Sequence, residues 1–390
     1  MIFTTPPPSD REHQVLDEIA SLQARLARHV REPRRWIGSL RRAAMARAIQ
    51  GSNSIEGYDA ALDDAAAVDL GEEPLDADEE TRLALRGYRD AMTYVLQLTD
   101  DDEFTYTDRL LKSLHFMMTS YELAARPGLW RSGAIYVRDD ARGQVVYEGP
   151  EVELVPQLVR ELTAELNATS REPAVVTAAM AHLNLVMIHP FRDGNGRMAR
   201  CLQTLVLARG GLVAPVFSSI EEYLGRNTQA YYDVLAAVGA GRWQPDRDAR
   251  PWVQFILTAH VRQARTMVRR VGESERLWEE LDRLATRHGL AERTEYALYD
   301  ALLGYRVRNA TYRAVASLEG QELTEATALR DLRQLTEAGL LVARGEKRGR
   351  VYVAGEALLG IRRQITAARD PRDDVDPFTA GTVQAEGRLF

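Results

Sequence analysis

Apolar residues recur at three- and four-residue steps through most of this chain, and that periodicity commits it to packed helices before any other feature is weighed. Leu16, Ile19, Leu22 and Leu26 form the first stripe, and it returns over 40–49, 83–98, 104–123, 151–166, 173–188, 197–207, 229–238 and 252–267. Arg126-Pro127-Gly128 stops the 104–123 run, because proline and glycine both break helices. Before residue 340 a single hairpin signature interrupts the pattern: Ile135-Tyr136-Val137 and Val145-Val146-Tyr147 flank Asp139-Asp140-Ala141-Arg142-Gly143. The acidic stretch 59–80 reads as a short helix and a surface loop, and the proline-rich 4–10 as a flexible lead-in.

The last third changes character. Three short helices are expected at 294–303, 309–318 and 324–338, the third with Leu329, Leu332 and Leu335 along one face and Gly339 just past its end. Two β-rich runs, 340–342 and 351–353, follow around the basic tip 344–350, and the whole reads as a winged helix-turn-helix. From Asp370 onward polar residues dominate, and a disordered tail is expected. At about 150 residues per domain, 390 residues suggest two or three domains. The divisions expected are 1–100 helical, 101–268 a helical bundle with the small hairpin, 269–289 a helical linker, 290–360 the winged helix and 361–390 an extension. The fold class is mainly α.

Fifty Lys and Arg against 57 Asp and Glu leave a net charge of −7, so bulk charge does not make the chain a polyanion binder. Lys112 and Lys347 are the only lysines; with 48 arginines, a lone arginine carries little information. One cysteine, Cys201, excludes an intramolecular disulfide and fits a reducing compartment, where it is read as a small buried hydrophobe. No apolar run approaches the roughly 18–20 residues that span a bilayer, and the first eight residues lack a signal-peptide pattern, so a cytoplasmic location without membrane contact is expected.

Chemistry concentrates in His189-Pro190-Phe191-Arg192-Asp193-Gly194-Asn195-Gly196-Arg197-Met198-Ala199-Arg200, where one apolar helix stops and another begins. Gly194 and Gly196 let the backbone approach a ligand, and the N–H groups that open the second helix favour an anion, so a phosphate site is expected there. Arg197 and Arg200, three apart on one helical face, can grip phosphate oxygens. Asp193 can hold Mg²⁺ jointly with phosphates. His189 can be neutral at pH 7 and accept a proton from a hydroxyl. Met198, Leu202 and Leu205 on the opposite face would pack inward. The same glycines match G-x-G-x-x-A, the dinucleotide fingerprint, but His189-Pro190 and Arg192-Asp193 intrude before them and no βαβ series surrounds them. A Walker A run is absent, and His182, seven residues before His189, lacks zinc-type spacing and is read as a structural residue.

These twelve residues resemble the signature of the Fic (filamentation induced by cyclic AMP) family, H-x-F-x-[DE]-G-N-G-R-x-x-R, at every defined position. The resemblance implies a Fic helical bundle that binds ATP and Mg²⁺ and passes AMP to a Ser, Thr or Tyr hydroxyl of a target protein, with self-modification and a homodimer among the possible partnerships. Carried over, His189 is the general base, Phe191 a core anchor and Asp193 the Mg²⁺ ligand. Gly194, Asn195 and Gly196 with their amides form the anion hole, and Arg197 and Arg200 take the β- and γ-phosphates. Relatives that act as kinases carry lysine at the position of Gly196, which demotes that activity here. Asn227, Tyr231 and Tyr232 resemble the family's downstream nucleotide-side segment, and Ile135, Tyr136 and Val137 its target-docking flap.

Ser52-Asn53-Ser54-Ile55-Glu56-Gly57 resembles the inhibitory motif [ST]-x-x-x-E-[GN] of one subclass, which implies that Glu56 pairs with Arg200 and displaces the γ-phosphate. The same glutamate could orient water and remove AMP from modified targets, as in some relatives. For the winged helix, Arg330 and Arg333 on the third helix and Lys347 and Arg348 on the wing are the candidate DNA contacts, with protein docking or dimerisation as the alternative. The competing function is a DNA-binding regulator whose bundle only senses nucleotide; an intact His189 favours transfer, since sensing needs no base.

Overall fold

The structure is a computed structural model, described here for residues 1–31, 34–139, 144–169, 172–212, 215–346, 349–369 and 375–378. It is mainly helical. The N-terminal part comprises α1 (Asp10–Arg31), α2 (Trp36–Ser54), α3 (Leu62–Asp69) and α4 (Glu79–Gln97). Then come α5 (Asp108–Thr119), the strands β1 (Tyr136–Asp139) and β2 (Gln144–Glu148), α6 (Val155–Asn167), α7 (Ala174–Ile188) and α8 (Asn195–Arg209). After α9 (Pro215–Ser218), α10 (Glu221–Arg226), α11 (Thr228–Gly239) and β3 (Gly241–Arg242), the long α12 (Arg250–His288) leads into α13 (Thr294–Leu303), α14 (Asn309–Leu318), α15 (Glu325–Glu337), β4 (Leu341–Arg344), β5 (Val351–Ala354) and α16 (Glu356–Ala367).

Local chemistry sets many boundaries. Ser9 and Glu12 form a reciprocal cap on α1, with Ser9 N–H on Glu12 Oε2 at 2.6 Å and Glu12 N–H on Ser9 Oγ at 3.3 Å. Asp78, Thr107 and Thr324 cap α4, α5 and α15 through side-chain oxygens that accept from Thr81, Leu110 and Thr327 N–H. α7 is apolar almost all round and correspondingly buried, so it runs through the middle of the first core with α8 beside it.

Two cores result. The first gathers α1, α4 to α8 and the start of α12; the second gathers α13 to α15, the β4–β5 pair and the remainder of α12. α2 belongs to both: Trp36, Ile37, Leu40 and Ala44 pack into the second, Met45, Ala46 and Ile49 into the first. Its C-terminal end crosses α10 at backbone contact. A Cβ on Gly51 would lie 2.5 Å from the Glu221 carbonyl, and one on Gly225 2.8 Å from the Gly51 Cα, so only glycine fits either place.

Three expectations read differently against the coordinates. The 269–289 linker is the second half of α12, unbroken for 39 residues and buried in the second core through Val271, Trp278 and Leu281 until Gly289 ends it at φ 61. The 4–10 lead-in is held at both ends: Phe3 is fully buried, exchanges hydrogen bonds of 2.8 and 3.0 Å with the Asn184 amide and sets its ring edge on Trp243, while Arg250 donates to the Pro7 carbonyl at 2.6 Å. Of the expected tail from 370, only 375–378 lie within the described residues, and there Arg11 Nε donates to Pro377 O at 2.7 Å and Phe378 packs on the first core.

The first sheet has the order β1-β2-β3, β1 and β2 antiparallel and β2 and β3 parallel, with a register shift between Val137 and Arg138. β1 is thus an edge. β4 and β5 pair antiparallel, Leu341 opposite Ala354, and Tyr352 bridges back to Val307.

Candidate active site

The site is a turn between two buried helices. α7 ends at His189, whose backbone is left-handed at φ 50 and whose N–H donates to Leu185 O at 3.0 Å; Pro190 then prevents continuation. A non-glycine residue in that region costs about 1–2 kcal/mol, so the surroundings must enforce it. Arg131 does so: its Nε donates to His189 O at 3.0 Å, its backbone N–H to Pro190 O at 2.9 Å, and its Nη atoms to the carbonyls of Gly133 and Pro150. Phe191, fully buried, stacks on His115 with centroids 3.7 Å apart and planes within 2°.

His115 fastens the turn from the other side. Its Nδ1 accepts from Gly128 N–H at 2.9 Å, which leaves Nε2–H to donate to Asp193 O at 3.0 Å. Burial pushes its pKa down to about 4, so this neutral tautomer persists at pH 7. His115 carries no signal in the sequence. Its partners sit 13 and 78 residues away, and a lone histidine in an apolar helical stripe reads as core.

Asn195 sits with its side chain spent inside the loop, Oδ1 accepting from Phe191 N–H at 2.9 Å and Nδ2 donating to Phe191 O at 3.0 Å. An anion therefore meets backbone here, not this amide. Gly194, at φ 73, turns the chain into α8, and the Met198 N–H bond to Gly194 O at 2.9 Å leaves the N–H groups of Asn195, Gly196 and Arg197 without an intrahelical partner.

His189 is half-buried with Nδ1 at 3.1 Å from Val186 O. A carbonyl can only accept, so Nδ1 carries the hydrogen and Nε2 is the acceptor. Burial lowers the pKa below that of free imidazole, partly opposed by the Val186 hydrogen bond, so the ring is neutral at pH 7. Asp193, with its side chain 52% exposed, stands 3.5 Å from Arg197 Nη2. Among the described residues no three His, Cys, Asp or Glu side chains cluster as a metal site, so an ion at Asp193 would need its other ligands from phosphate and water.

Both arginines are buried, each side chain 1% exposed. Arg200 Nε donates to Ser52 Oγ at 2.7 Å, and Nη2 to Ser52 O at 2.9 Å and Glu56 Oε1 at 2.6 Å. Burial works against the Arg200 cation, and the Glu56 carboxylate together with Tyr231 and Tyr88 more than offsets it, so the guanidinium is held protonated more firmly than in water. Its Nη1 is buried without a partner among the described residues. Gly196 makes room for the pair: a Cβ there would fall 2.2 Å from Glu56 Oε1 and 3.1 Å from Arg200 Nη1.

The downstream residues divide. Tyr231 is core, its hydroxyl 2.9 Å from His182 Nε2, and His182 Nδ1 lies 2.6 Å from Gln203 Oε1. Asn227 Nδ2 turns back to Tyr223 O at 2.8 Å. Tyr232 reaches the 52–57 segment and donates to Ile55 O at 3.0 Å. On the hairpin, Tyr136 points to solvent, Ile135 O accepts from Gly149 N–H at 3.2 Å and Val137 pairs with Tyr147, whose hydroxyl donates to Met187 O at 2.7 Å two residues before His189. Arg330 and Arg333 are exposed on α15; Lys347 and Arg348 lie outside the described residues.

The turn thus offers a neutral base, an open helix N-terminus, a half-exposed carboxylate and two buried cations, a set suited to phosphoryl chemistry. Residues 105–207 match the model of the Fic/DOC family. A protein adenylyltransferase fic-1 of Caenorhabditis briggsae is 35% identical over 118 residues, 28% of this chain and 21% of that protein. A protein adenylyltransferase Fic of Nematostella vectensis is 28% identical over 180 residues, 44% of this chain and 36% of that protein. The chain therefore spans between about a fifth and a third of the length of these two curated relatives. The crystal structure of a Fic family protein from Desulfovibrio desulfuricans G20 covers 90% of this chain and 98% of its own at TM-score 0.56 and 24% identity, a likeness of fold.

Proposed function

We propose that this chain, whose residues 105–207 are a domain of the Fic/DOC family, moves AMP from ATP onto a Ser, Thr or Tyr hydroxyl of a protein, and that Glu56 restrains the transfer by occupying Arg200. The observation that carries the reading is the Arg200 guanidinium, buried beside an open helix N-terminus and bonded at 2.6 Å by a carboxylate delivered from 144 residues away.

His189 Nε2 takes the hydroxyl proton as the target oxygen attacks the α-phosphorus; the bond to the bridging oxygen breaks and pyrophosphate leaves. The N–H groups of residues 195–197 stabilise the charge that develops on the α-phosphate, and Arg197 and Arg200 hold the outer phosphates. Asp193 suits Mg²⁺, being a single accessible carboxylate beside that nest, and a bound ion would neutralise phosphate charge. The open edge of β1 suits a target segment added as a strand, held by backbone hydrogen bonds.

A nucleotide bound this way competes with Glu56 for one guanidinium. Holding the restrained state at 99:1 takes about 2.7 kcal/mol, and charge-assisted hydrogen bonds contribute about 1.5–3 kcal/mol each. Incubation with labelled ATP and Mg²⁺ tests the reading: Glu56→Gly incorporates more AMP into protein than the unaltered chain, and His189→Ala in that background incorporates AMP about 10²- to 10⁴-fold more slowly. Equal labelling in Glu56→Gly and the unaltered chain rejects the restraint. DNA binding by the C-terminal helices is the competing reading; Arg330 and Arg333 are exposed on α15 but, among 48 arginines, carry no weight alone, and a mobility shift insensitive to added salt would count against phosphate contacts.

A further inference from the structure

The segment that closes α2 touches the signature turn twice. Gly57 is left-handed at φ 86, its N–H donates to Ser54 O at 3.2 Å, and the Tyr58 N–H donates to Asn53 O at 3.1 Å. This paired stop turns the chain so that Glu56 and Tyr58 both face α8. Glu56 takes Arg200. The ring of Tyr58 lies on Arg197, whose Cζ is 5.1 Å from the ring centroid and within the reach of a cation–π contact.

The remaining enclosure of Arg197 comes from outside the 52–58 segment. Nη1 donates to the Tyr121 hydroxyl at 3.0 Å, that hydroxyl donates to Tyr58 at 3.3 Å, and Nη2 lies 3.5 Å from Asp193. Its Nε is buried with no partner among the described residues. At 1% exposure, no phosphate oxygen reaches Arg197 until part of this enclosure leaves. Tyr121 follows α5 and Asp193 belongs to the turn itself; Tyr58 alone stands on the segment that also carries Glu56.

We propose that Tyr58 is a second restraint, its ring covering Arg197 as Glu56 occupies Arg200, so that nucleotide entry requires residues 56–58 to withdraw together. The proposal rests on Arg197 and Arg200 being phosphate ligands. It follows that Glu56→Gly frees one arginine and leaves the other covered.

The test compares ATP saturation of AMP incorporation, and Mg-ATP binding by calorimetry, in Glu56→Gly with and without a change at Tyr58. Tyr58→Ala lowers the KM and Kd for ATP about two- to thirtyfold, the span between an exposed and a desolvated cation–π contact, while kcat stays constant. Tyr58→Phe, which keeps the ring, behaves as Tyr58. Tyr58→Leu, apolar but without a π face, replaces Tyr58→Ala if that variant does not fold. An unchanged or raised KM, or a Tyr58→Phe that shifts as far as Tyr58→Ala, overturns the proposal while leaving the Glu56 reading intact. A Glu56→Gly protein that binds no ATP overturns both.

Discussion

The turn at 189–200 and helix α15 both carry arginines three residues apart, and they treat them in opposite ways. Arg197 and Arg200 are sealed from solvent and served by Tyr58, Tyr121, Ser52 and Glu56, which come from distant parts of the chain. Arg330 and Arg333 lie exposed on α15. Burying a cation costs several kcal/mol unless partners are built around it, so a buried pair with a dedicated partner set marks a place where the fold maintains that expense. In a chain with 48 arginines, exposure makes the second pair uninformative, whatever its role.

That contrast can be broken by substitution. The largest effect is expected at His189: in the Glu56→Gly background, His189→Ala reduces the rate of AMP incorporation about 10²- to 10⁴-fold, the usual worth of a positioned base. Because burial lowers the His189 pKa and the neutral form is the active one, the acid limb of kcat/KM falls as pH drops through a midpoint below the ordinary 6.5. A midpoint above that value would mean the ring is not the group titrating.

Asn195→Ala comes next. It strands the buried Phe191 N–H and C=O, at about 1–3 kcal/mol for each unsatisfied group, and urea unfolding should move accordingly. A cost under about 0.5 kcal/mol, the ordinary surface value, would show that the amide does not hold the turn. Arg330→Ala and Arg333→Ala should be the mildest, shifting stability by less than about 0.5 kcal/mol and leaving AMP incorporation where it was. Activity lost there would erase the distinction between the two pairs.

What could be read in advance follows from how local each feature is. The turn and the Ser52–Gly57 segment are contiguous in sequence, so their residue types and spacing declare themselves. The mainly helical class follows from a period repeated along the chain. The contacts that complete the site are not contiguous: His115 to Asp193 and Gly128, Arg131 to His189, and Tyr58 to Arg197 join residues that only the packing brings together. Asn195 is legible as a polar residue between glycines, but not that its amide turns back on Phe191. Tyr231 and Tyr232 are adjacent, and helical periodicity sends one into the core and the other to Ile55. Residues 269–289 are legible as helix, with Leu277, Leu281 and Leu284 at helical steps, but that they continue α12 unbroken and pack into the second core depends on neighbouring helices.

The competition at Arg200 is tested most directly by Mg-ATP affinity, measured by calorimetry on the unaltered chain and on Glu56→Gly. A restraint of about 99:1 predicts that Glu56→Gly binds about a hundredfold more tightly. Equal dissociation constants would mean that the Glu56 carboxylate and the nucleotide never contend for the same guanidinium.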